Sequence, residues 1–377
     1  MLVGAAVADA ASMGLHWIYA QPRVRRAGGE TPEFTEPDPA NYEGVPSYFA
    51  HAGRHAGDFS MYGESLMVVL RSIAENGEFD WQHYAQKFQG HFGFGGGYVG
   101  YIDTPTRETL VNMILQQRDL LDAAMAVEFD GPEDTQRSIA RKVISNAQLV
   151  RGEALKNKVT ESIRLTKGDE TEVALAERMI EILDGKVSYA GADDAQLPAL
   201  TKVPVLVAVY HDSPNLEQKV EEAVRVTNNN DEAVDWAIFL TRLLTWSLQD
   251  SAKIGDLETQ VRTLLEKSSS HVVAAMENVL KRRGEDPKTV TMKVGPACEL
   301  KHGVPVAMHN LLTAESYTAA VRRNILACGD SCGRAMVVGS LAGSLFAGDQ
   351  EAGVPSDWID RLTLGDELVS LTEQVVG

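Results

Sequence analysis

The stretch CGDSCGRAMVVGSLAG at residues 328–343 decides the fold, because a flexible acidic turn opens a helix of mostly small and apolar residues. A helix that lacks a polar face is buried among other helices. The turn therefore brings the carboxylate of Asp330 inside the molecule. A buried carboxylate needs backbone N–H groups, a cation or a metal as its partner.

Two other segments have the same character. The stretch HAGDFSMYGE at residues 55–64 is a second acidic turn, and an apolar helical segment follows it. At the other end of the chain, Asp9 lies in the small-residue helix VGAAVADAA at residues 3–11. Since helices of small residues pack closely, we expect Asp9, Asp58 and Asp330 to meet in one pocket.

Composition restricts the location and the partners. The 377 residues include 35 Lys and Arg against 53 Asp and Glu, a net charge of −18, which argues against nucleic acid as a partner. Three cysteines do not make a disulfide framework and favour a reducing compartment. Residues 1–15 contain Asp9 and no Lys or Arg, unlike a signal peptide, and no long uncharged apolar run predicts a membrane span. We expect a cytoplasmic protein.

Helical periodicity dominates the chain, and strand-like alternation is scarce. The segment 203–210 is ambiguous, but Pro204 argues against a central strand. Loops rich in Gly and Pro are expected at 21–57, 92–105 and 284–305. We predict one compact all-α domain, a multi-helix bundle over 1–377. The predicted helices are 3–15, 64–76, 80–90, 106–127, 133–150, 154–166, 170–184, 198–210, 215–226, 231–249, 256–282, 315–328, 331–346 and 364–375.

The acidic turns have two compatible interpretations. The first is a hard-cation site, in which carboxylate and hydroxyl oxygens hold Mg²⁺. Its candidate ligands are Asp58, Ser60, Asp330 and Ser331. The second is helix capping, by Asp330 or Ser331 at one helix and by Asp58 or Ser60 at the other.

Zinc is a weaker hypothesis from the sequence. Cys328 and Cys332 are four residues apart without a CxxC pattern, which favours buried small residues. His51 and His55 lie in a Gly-rich loop without a helical pattern, so a zinc pair is not expected there.

Residues 4–19, 57–64 and 329–343 resemble the three signature segments of the ADP-ribosylglycohydrolase family. This resemblance implies an all-α fold, two Mg²⁺ ions at its centre, and cleavage of the glycosidic bond at the anomeric carbon of ADP-ribose. The stretches LHWIY at 15–19 and GYVGYID at 97–103 resemble a distinct branch, which is also similar to the J-class lens crystallins of jellyfish.

The signature segments depart from the family pattern at ligand positions. His16 stands where the family has Glu, Phe59 where it has Asp, and Cys332 where the third segment has its second Asp. With fewer carboxylates to offset the charge of two ions, we expect one Mg²⁺ or none. A cation from Arg334 or a protonated His16 would then neutralise the Asp residues.

If the chemistry is kept, the resemblance implies glycosidic hydrolysis through an oxocarbenium-like transition state. Asp58 would orient or deprotonate water, and Asp330 would hold the metal or stabilise charge on the sugar. His16 would act as acid or base, the alternative being a histidine packed beside Trp17. Asp9 and Arg334 are further ligand-binding candidates.

The Gly-rich segment at 92–98 is a second candidate site. Its glycines would let backbone N–H groups approach a phosphate, and its aromatic residues would stack on adenine. The alternative is a plain flexible loop. The candidate ligand-binding residues are Phe92, Gly95, Gly96, Gly97 and Tyr98.

Three functional hypotheses follow. The leading one is a hydrolase that acts on an ADP-ribosyl or related ribosyl ligand, small or protein-linked, with a degenerate metal site. The second is a structural, crystallin-like protein that kept the fold and lost the chemistry. The third is a sensor that binds nucleotide sugars without turnover. The sequence sets neither the substrate nor the oligomeric state.

Overall fold

The computed structural model describes residues 1–147 and 150–377, and these are built from helices. About 65% of the chain is helical, which confirms the all-α prediction. Residues 148 and 149, included in the predicted helix 133–150, lie outside the described residues. The α-helices are α1 Leu2–Ser12, α2 Gln21–Gly28, α3 Met61–Asn76, α4 Trp81–Phe92, α5 Thr104–Met125, α6 Glu133–Ala147, α7 Gly152–Leu165, α8 Glu170–Leu183, α9 Val203–Tyr210, α10 Leu216–Thr227, α11 Asp231–Ser247, α12 Leu257–Leu265, α13 Ser270–Leu280, α14 Pro287–Val294, α15 Leu300–Leu311, α16 Tyr317–Leu326, α17 Ser331–Leu345, α18 Ser356–Ile359 and α19 Gly365–Val376.

The centre of the fold is the pair α1 and α17. These helices pack so closely that a Cβ atom on Gly4 would lie 2.4 Å from the carbonyl oxygen of Gly339, and one on Gly339 would lie 2.3 Å from that of Gly4. Both distances are impossible for a real side chain, so glycine is required at each position. Tyr317 of α16 adds a hydrogen bond, donating its hydroxyl to the Gly4 carbonyl at 2.6 Å.

Further helices enclose this pair. Helices α15 and α16 pack along α17, α11 contacts it from another side, and α3 contacts both α1 and α17. Residues 331–343 of α17 are all buried, as the absence of a polar face predicted. Asp9 and Asp330 are consequently held in the interior rather than at the surface.

A second hydrophobic cluster lies away from this centre, between the second half of α5 and helices α6, α7 and α8. Its core is aliphatic and includes Ile139, Val143, Val159, Leu175 and Met179. Each of α6, α7 and α8 buries one face and exposes the other, as amphipathic helices do. The single-domain assignment over 1–377 stays a prediction.

Several expected loops contain helices. The segments 21–57 and 284–305 hold α2, α14 and the start of α15. Asp286 caps α14 by accepting the Thr289 N–H at 3.0 Å, and Pro287 at the first helical position suits a helix start. Pro305 lies inside α15 and has no N–H to donate to the carbonyl of Lys301, four residues earlier. The proline is tolerated because Lys301 is exposed to water.

One helix prediction is corrected, and one ambiguous segment is decided in favour of the predicted helix 198–210. The predicted helix 256–282 is two helices, α12 and α13, because the serines at 268–270 offer the backbone competing hydrogen bonds; Ser268 donates to the Leu264 carbonyl at 2.9 Å. The ambiguous segment 203–210 is helical, with Pro204 in its first turn. Among the described residues, no helix combines the length and apolar character that crossing a membrane requires.

Candidate functional site

The first and third signature segments are joined backbone to backbone. The Trp17 N–H donates to the Gly329 carbonyl at 2.8 Å, and the Gly329 N–H donates to the Ile18 carbonyl at 2.8 Å. Trp17 has a φ of 61° and Gly329 one of 67°, both in the left-handed region. Trp17 thus holds a conformation that is costly for a bulky residue. This junction sets His16 beside Asp330.

Asp330 is the N-cap of α17. Its carboxylate accepts the Gly333 N–H at 2.8 Å and the Tyr62 hydroxyl at 2.8 Å, and it is fully buried. Burial raises the pKa of Asp330, while the hydrogen bonds act in the opposite direction. The capping interpretation is confirmed for this residue. Ser331 donates its hydroxyl to the Ser12 carbonyl at 3.4 Å.

Asp9 and Ser60 contact each other directly. The Ser60 hydroxyl donates to Asp9 Oδ1 at 2.5 Å, and the Ser60 N–H donates to Oδ2 at 2.8 Å. Ser60 also caps α3 by accepting the Tyr62 N–H at 3.1 Å, so the capping interpretation is confirmed here too. Burial raises the pKa of Asp9 to about 7. Burial thus favours the protonated form of this acid.

Asp58 has different partners. It is half-buried, and its carboxylate accepts the His55 N–H at 2.8 Å and the Thr363 hydroxyl at 2.6 Å. The turn that precedes α19 also holds the backbone next to Asp58, because the Gly57 carbonyl accepts the Thr363 N–H at 3.0 Å. Asp9 and Asp330 are thus buried in the interior. Asp58 is only half-buried and is bonded to Thr363 instead.

His16 is buried and stacked on Trp17, with ring centroids 4.6 Å apart. Its Nδ1 accepts the Cys332 N–H at 3.2 Å and lies 3.6 Å from Asp330 Oδ1. Burial lowers the pKa of His16 well below its ordinary value, with the charges of His51 and Arg334 as smaller causes. At neutral pH the ring is uncharged, so it does not neutralise Asp330.

The guanidinium of Arg334 is fully buried behind the acidic turn. It donates to the Asn324 side chain at 2.8 Å and to the carbonyls of Asn324 at 3.2 Å and Cys328 at 2.5 Å. Its Nη1 has no hydrogen-bond partner among the residues that the structure describes. Arg334 therefore acts on Asp330 through its charge, which lowers the pKa of that carboxyl, and not by a direct ion pair.

Asp103 and Lys202 are site candidates that sequence reasoning missed. Asp103 caps α5 by accepting the Thr106 N–H at 2.9 Å, and its Oδ2 is buried with no hydrogen-bond partner within residues 1–147 and 150–377. Burial raises the pKa of Asp103, and the charge of Asp330 adds to this. Burial lowers the pKa of Lys202 to about 7, while Asp103 opposes that shift. A lone lysine in the apolar run PALTKVPVLV at 198–207 was the available signal.

The Gly-rich segment lies beside the second signature segment. Glu64 accepts a hydrogen bond from Arg54 at 3.3 Å and lies 3.0 Å from Nε2 of His91. The Arg54 guanidinium covers the Tyr98 ring at 4.7 Å from its centroid, and Tyr98 packs on Phe92.

The glycines of this segment form its turn. Gly95 has a φ of 76°, and the Gly96 N–H donates to the Gly93 carbonyl at 2.9 Å. Gly95 and Gly97 are exposed. Binding of a phosphate by this turn stays a prediction.

Aromatic side chains lead from the buried histidine to the surface. Trp17 packs edge-on against Tyr101 at 5.0 Å and Tyr48 at 5.8 Å between ring centroids. Trp17 is buried, Tyr101 is half-buried, and Tyr48 is exposed. These three rings cover the interior cluster on this side.

The oxygen donors do not fit Mg²⁺ as they are arranged. Asp9 is bonded to Ser60, Asp330 to Tyr62 and the α17 backbone, and Asp58 to Thr363. Mg²⁺ requires oxygen ligands near octahedral geometry around one point. The described carboxylates instead point to separate protein donors. We therefore derive no step through Mg²⁺.

Comparisons with known proteins agree with this architecture. A family model described as ADP-ribosylglycohydrolase matches residues 1–377. Crystallin J1A of Tripedalia cystophora is 26% identical over 99% of this chain and 94% of its own length. Crystallin J1B of the same jellyfish is 24% identical over 100% of this chain and 94% of its own length.

A solved structure shares the fold. It is titled an ADP-ribosylglycohydrolase-related protein complex, with a TM-score of 0.51 and 16% identity, and the match covers 100% of this chain and 95% of that one. At this identity the likeness bears on the fold alone. With the family model spanning all three signature segments, the chain belongs to the ADP-ribosylglycohydrolase family.

Proposed function

We propose that the chain hydrolyses the glycosidic bond of an ADP-ribosyl or related ribosyl ligand, with Asp103 and Asp330 as its two carboxyl groups. The observation that carries this proposal is the Asp103 Oδ2, which is buried and has no hydrogen-bond partner in the described part of the chain. A buried polar atom left unpaired is costly, and a ligand hydroxyl or glycosidic oxygen would relieve that cost. Family membership supports the class of bond.

The different surroundings of the two carboxyl groups support different roles. Asp330 accepts two hydrogen bonds, which stabilise its ionised form against the effect of burial. Asp103 accepts one N–H and has its other oxygen free. Asp103 is therefore the general acid that protonates the leaving oxygen, and Asp330 is the carboxylate that stabilises positive charge on the ribose.

The substitution Asp103→Asn tests this assignment. Release of ADP-ribose or free ribose from ADP-ribosylated protein and small-molecule substrates is measured, and we expect the turnover rate to fall by roughly 100- to 10,000-fold. The matched control is Asp286→Asn, because Asp286 caps α14 through the third N–H of its helix as Asp103 caps α5. Equal losses in both variants, or no release by the unmodified protein, contradict the proposal.

Binding is tested separately from turnover. ADP-ribose should raise the melting temperature, and Asp330→Ala should abolish that rise. The same titration with Mg²⁺ tests the metal prediction. A calorimetric titration without heat for ADP-ribose contradicts the ligand-binding prediction, and heat with Mg²⁺ would show that a metal site forms despite the present arrangement of the oxygen donors.

A second candidate is a structural protein that resembles the crystallins J1A and J1B. The observation that favours it is that the carboxylates of Asp9 and Asp330 are fully buried and bonded to protein donors. Such carboxylates stabilise the fold without a ligand. This candidate predicts a monodisperse protein at high concentration with no ribosyl release, and release that is lost in Asp103→Asn would exclude it.

We also propose a cytoplasmic location and no nucleic-acid partner. The three cysteines, Cys298, Cys328 and Cys332, are free, as expected in a reducing compartment. The net charge of −18 opposes binding to a phosphate backbone. Fractionation of cells that express the protein, and a salt-dependent nucleic-acid binding assay, test the two points.

A further inference from the structure

A cluster of nitrogen and sulfur donors lies at the centre of the fold. One ring nitrogen of His16, one of His51 and the Sγ of Cys332 all lie within 4.8 Å of one another. All three residues are buried, with 2%, 5% and 0% of their surfaces exposed. They come from the turn after α1, the loop before α3 and the first turn of α17, so only the folded chain assembles them.

The cluster has an unsatisfied member. Only 5% of the surface of His51 is exposed. Its Nε2 is buried and has no hydrogen-bond partner among the described residues. An imidazole nitrogen in the interior normally has a partner, because leaving it unpaired costs the desolvation of that atom. The unpaired nitrogen in a donor cluster points to a missing ligand.

The chemistry of the donors selects the class of that ligand. Imidazole nitrogen and thiolate sulfur suit Zn²⁺ and similar borderline or soft cations, whereas Mg²⁺ prefers oxygen. In tetrahedral zinc sites the bond lengths place neighbouring donor atoms about 3.5 Å apart. The three donor atoms lie within 4.8 Å of one another, so side-chain movements of about 1 Å would bring them to that geometry.

The surroundings supply negative charge. Asp330 Oδ1 lies 3.6 Å from Nδ1 of His16, and Cys332 Sγ donates to the backbone carbonyl of Asp9 at 3.7 Å. The opposing charge is Arg334, which is held by Asn324 and the Cys328 carbonyl. The acidic group beside the His16 donor favours a cation over an anion at the cluster.

We propose that His16, His51 and Cys332 form a binding site for Zn²⁺ or a similar borderline cation. This site is chemically distinct from the carboxylate Mg²⁺ site that the sequence suggested. It also reverses the sequence-based interpretation of Cys332 as an inert buried residue. The proposal does not depend on whether the chain hydrolyses a ribosyl bond, because it rests on donor geometry alone.

Cobalt titration of the chelator-treated full chain tests the site. We expect a thiolate-to-cobalt charge-transfer band and intense visible bands typical of four-coordinate Co²⁺, and Zn²⁺ should displace both. Metal is added to the folded protein and, in a parallel sample, during refolding, because the site is buried. Absence of the charge-transfer band by both routes overturns the proposal, as does displacement of cobalt by Mg²⁺ at equal concentration.

Two pairs of variants locate the site. Cys332→Ser and His51→Gln should each weaken Zn²⁺ binding by at least roughly 10- to 100-fold, the loss that even an outer-shell partner causes. The controls are Cys328→Ser, the other buried cysteine of the same turn, and His55→Gln, an exposed histidine of the same loop. Both controls should bind as the unmodified chain does.

The two ligand variants keep the test independent of folding. His51 is in a loop, so we expect His51→Gln to fold even if Cys332→Ser does not. Circular dichroism shows whether each variant is folded. A charge-transfer band that persists in folded Cys332→Ser, or affinity unchanged in folded His51→Gln, contradicts the assignment. Loss of binding in Cys328→Ser or His55→Gln places the metal elsewhere and contradicts it as well.

Discussion

The central pair α1 and α17 and the peripheral bundle of α6, α7 and α8 are both helical, but they are stabilised differently. In the central pair, backbone packs on backbone at Gly4 and Gly339, and acidic side chains are enclosed with their hydrogen-bond donors. In the peripheral bundle, aliphatic side chains fill the space between amphipathic helices. The centre is thus specified by backbone contact and polar pairing, and the periphery by hydrophobic burial.

The difference has a consequence for tolerance to substitution. Aliphatic cores accept changes of shape when the total volume is kept, whereas a backbone contact cannot yield. A buried carboxylate additionally couples stability to pH, since its protonation state differs between the folded and unfolded chain. The following predictions test each part of this comparison.

The largest expected effect is at the contact of α1 with α17. Gly339→Val should lower the free energy of unfolding by more than about 3 kcal/mol, because its side chain would enter the Gly4 backbone. Urea unfolding followed by circular dichroism measures the change. The control is Gly90→Ala in α4, where no atom lies within 4 Å of the added Cβ, and a gain of about 0.5–1 kcal/mol is expected. A similar loss of stability in both variants would contradict the claim that the contact of α1 with α17 requires glycine.

The next effect concerns the peripheral cluster. Leu175→Ala in α8 should cost about 3 kcal/mol, because Leu175 is fully buried and the truncation leaves a cavity. Amide hydrogen exchange should show lost protection in α6, α7 and α8, with protection kept in α1 and α17. Equal loss of protection in all five helices would mean that the two regions unfold as one unit.

A smaller effect is the pH dependence caused by Asp9. Its pKa is raised to about 7 in the folded chain from 3.8, so the folded form binds the proton more tightly than the unfolded form does. The free energy of unfolding should therefore decrease as pH rises from 5 to 7, by about 2 kcal/mol. Asp9→Asn mimics the protonated acid and should remove this contribution, as urea unfolding at several pH values will show. A variant with the same pH slope as the unmodified chain refutes this role.

The peripheral helices were the easier part to predict. The amphipathic period predicted a helix over 170–184, and the structure has α8 at Glu170–Leu183. The prediction was accurate because apolar residues recur on one face and acidic residues mark the start of the helix. Helices α14 and α15 were missed because their prolines suggested a loop. Pro287 lies at a helix start and Pro305 beside an exposed carbonyl, which only the surrounding structure reveals.

The burial of candidate residues was easier to predict in or next to small-residue helices than in the loop before α3. The interior location of Asp9 and Asp330 follows from the small, apolar character of α1 and α17. The direction of Asp58 depends on Thr363, about 300 residues later in the chain, and no local pattern contains that information. Asp103 was not singled out, because no local pattern shows that its second oxygen is buried and, within the described residues, unpaired.

The sequence by itself determined the helical class and the burial of the two terminal small-residue helices, because composition and periodicity act over short distances along the chain. The family followed from the resemblance of three signature segments. Only the tertiary structure decided which donors share the interior. His16, His51 and Cys332 lie far apart in sequence and are brought together by the Trp17–Gly329 backbone junction and the α1–α17 contact. Hydrogen-bond partners across such separations are chosen by packing, which local sequence patterns do not encode.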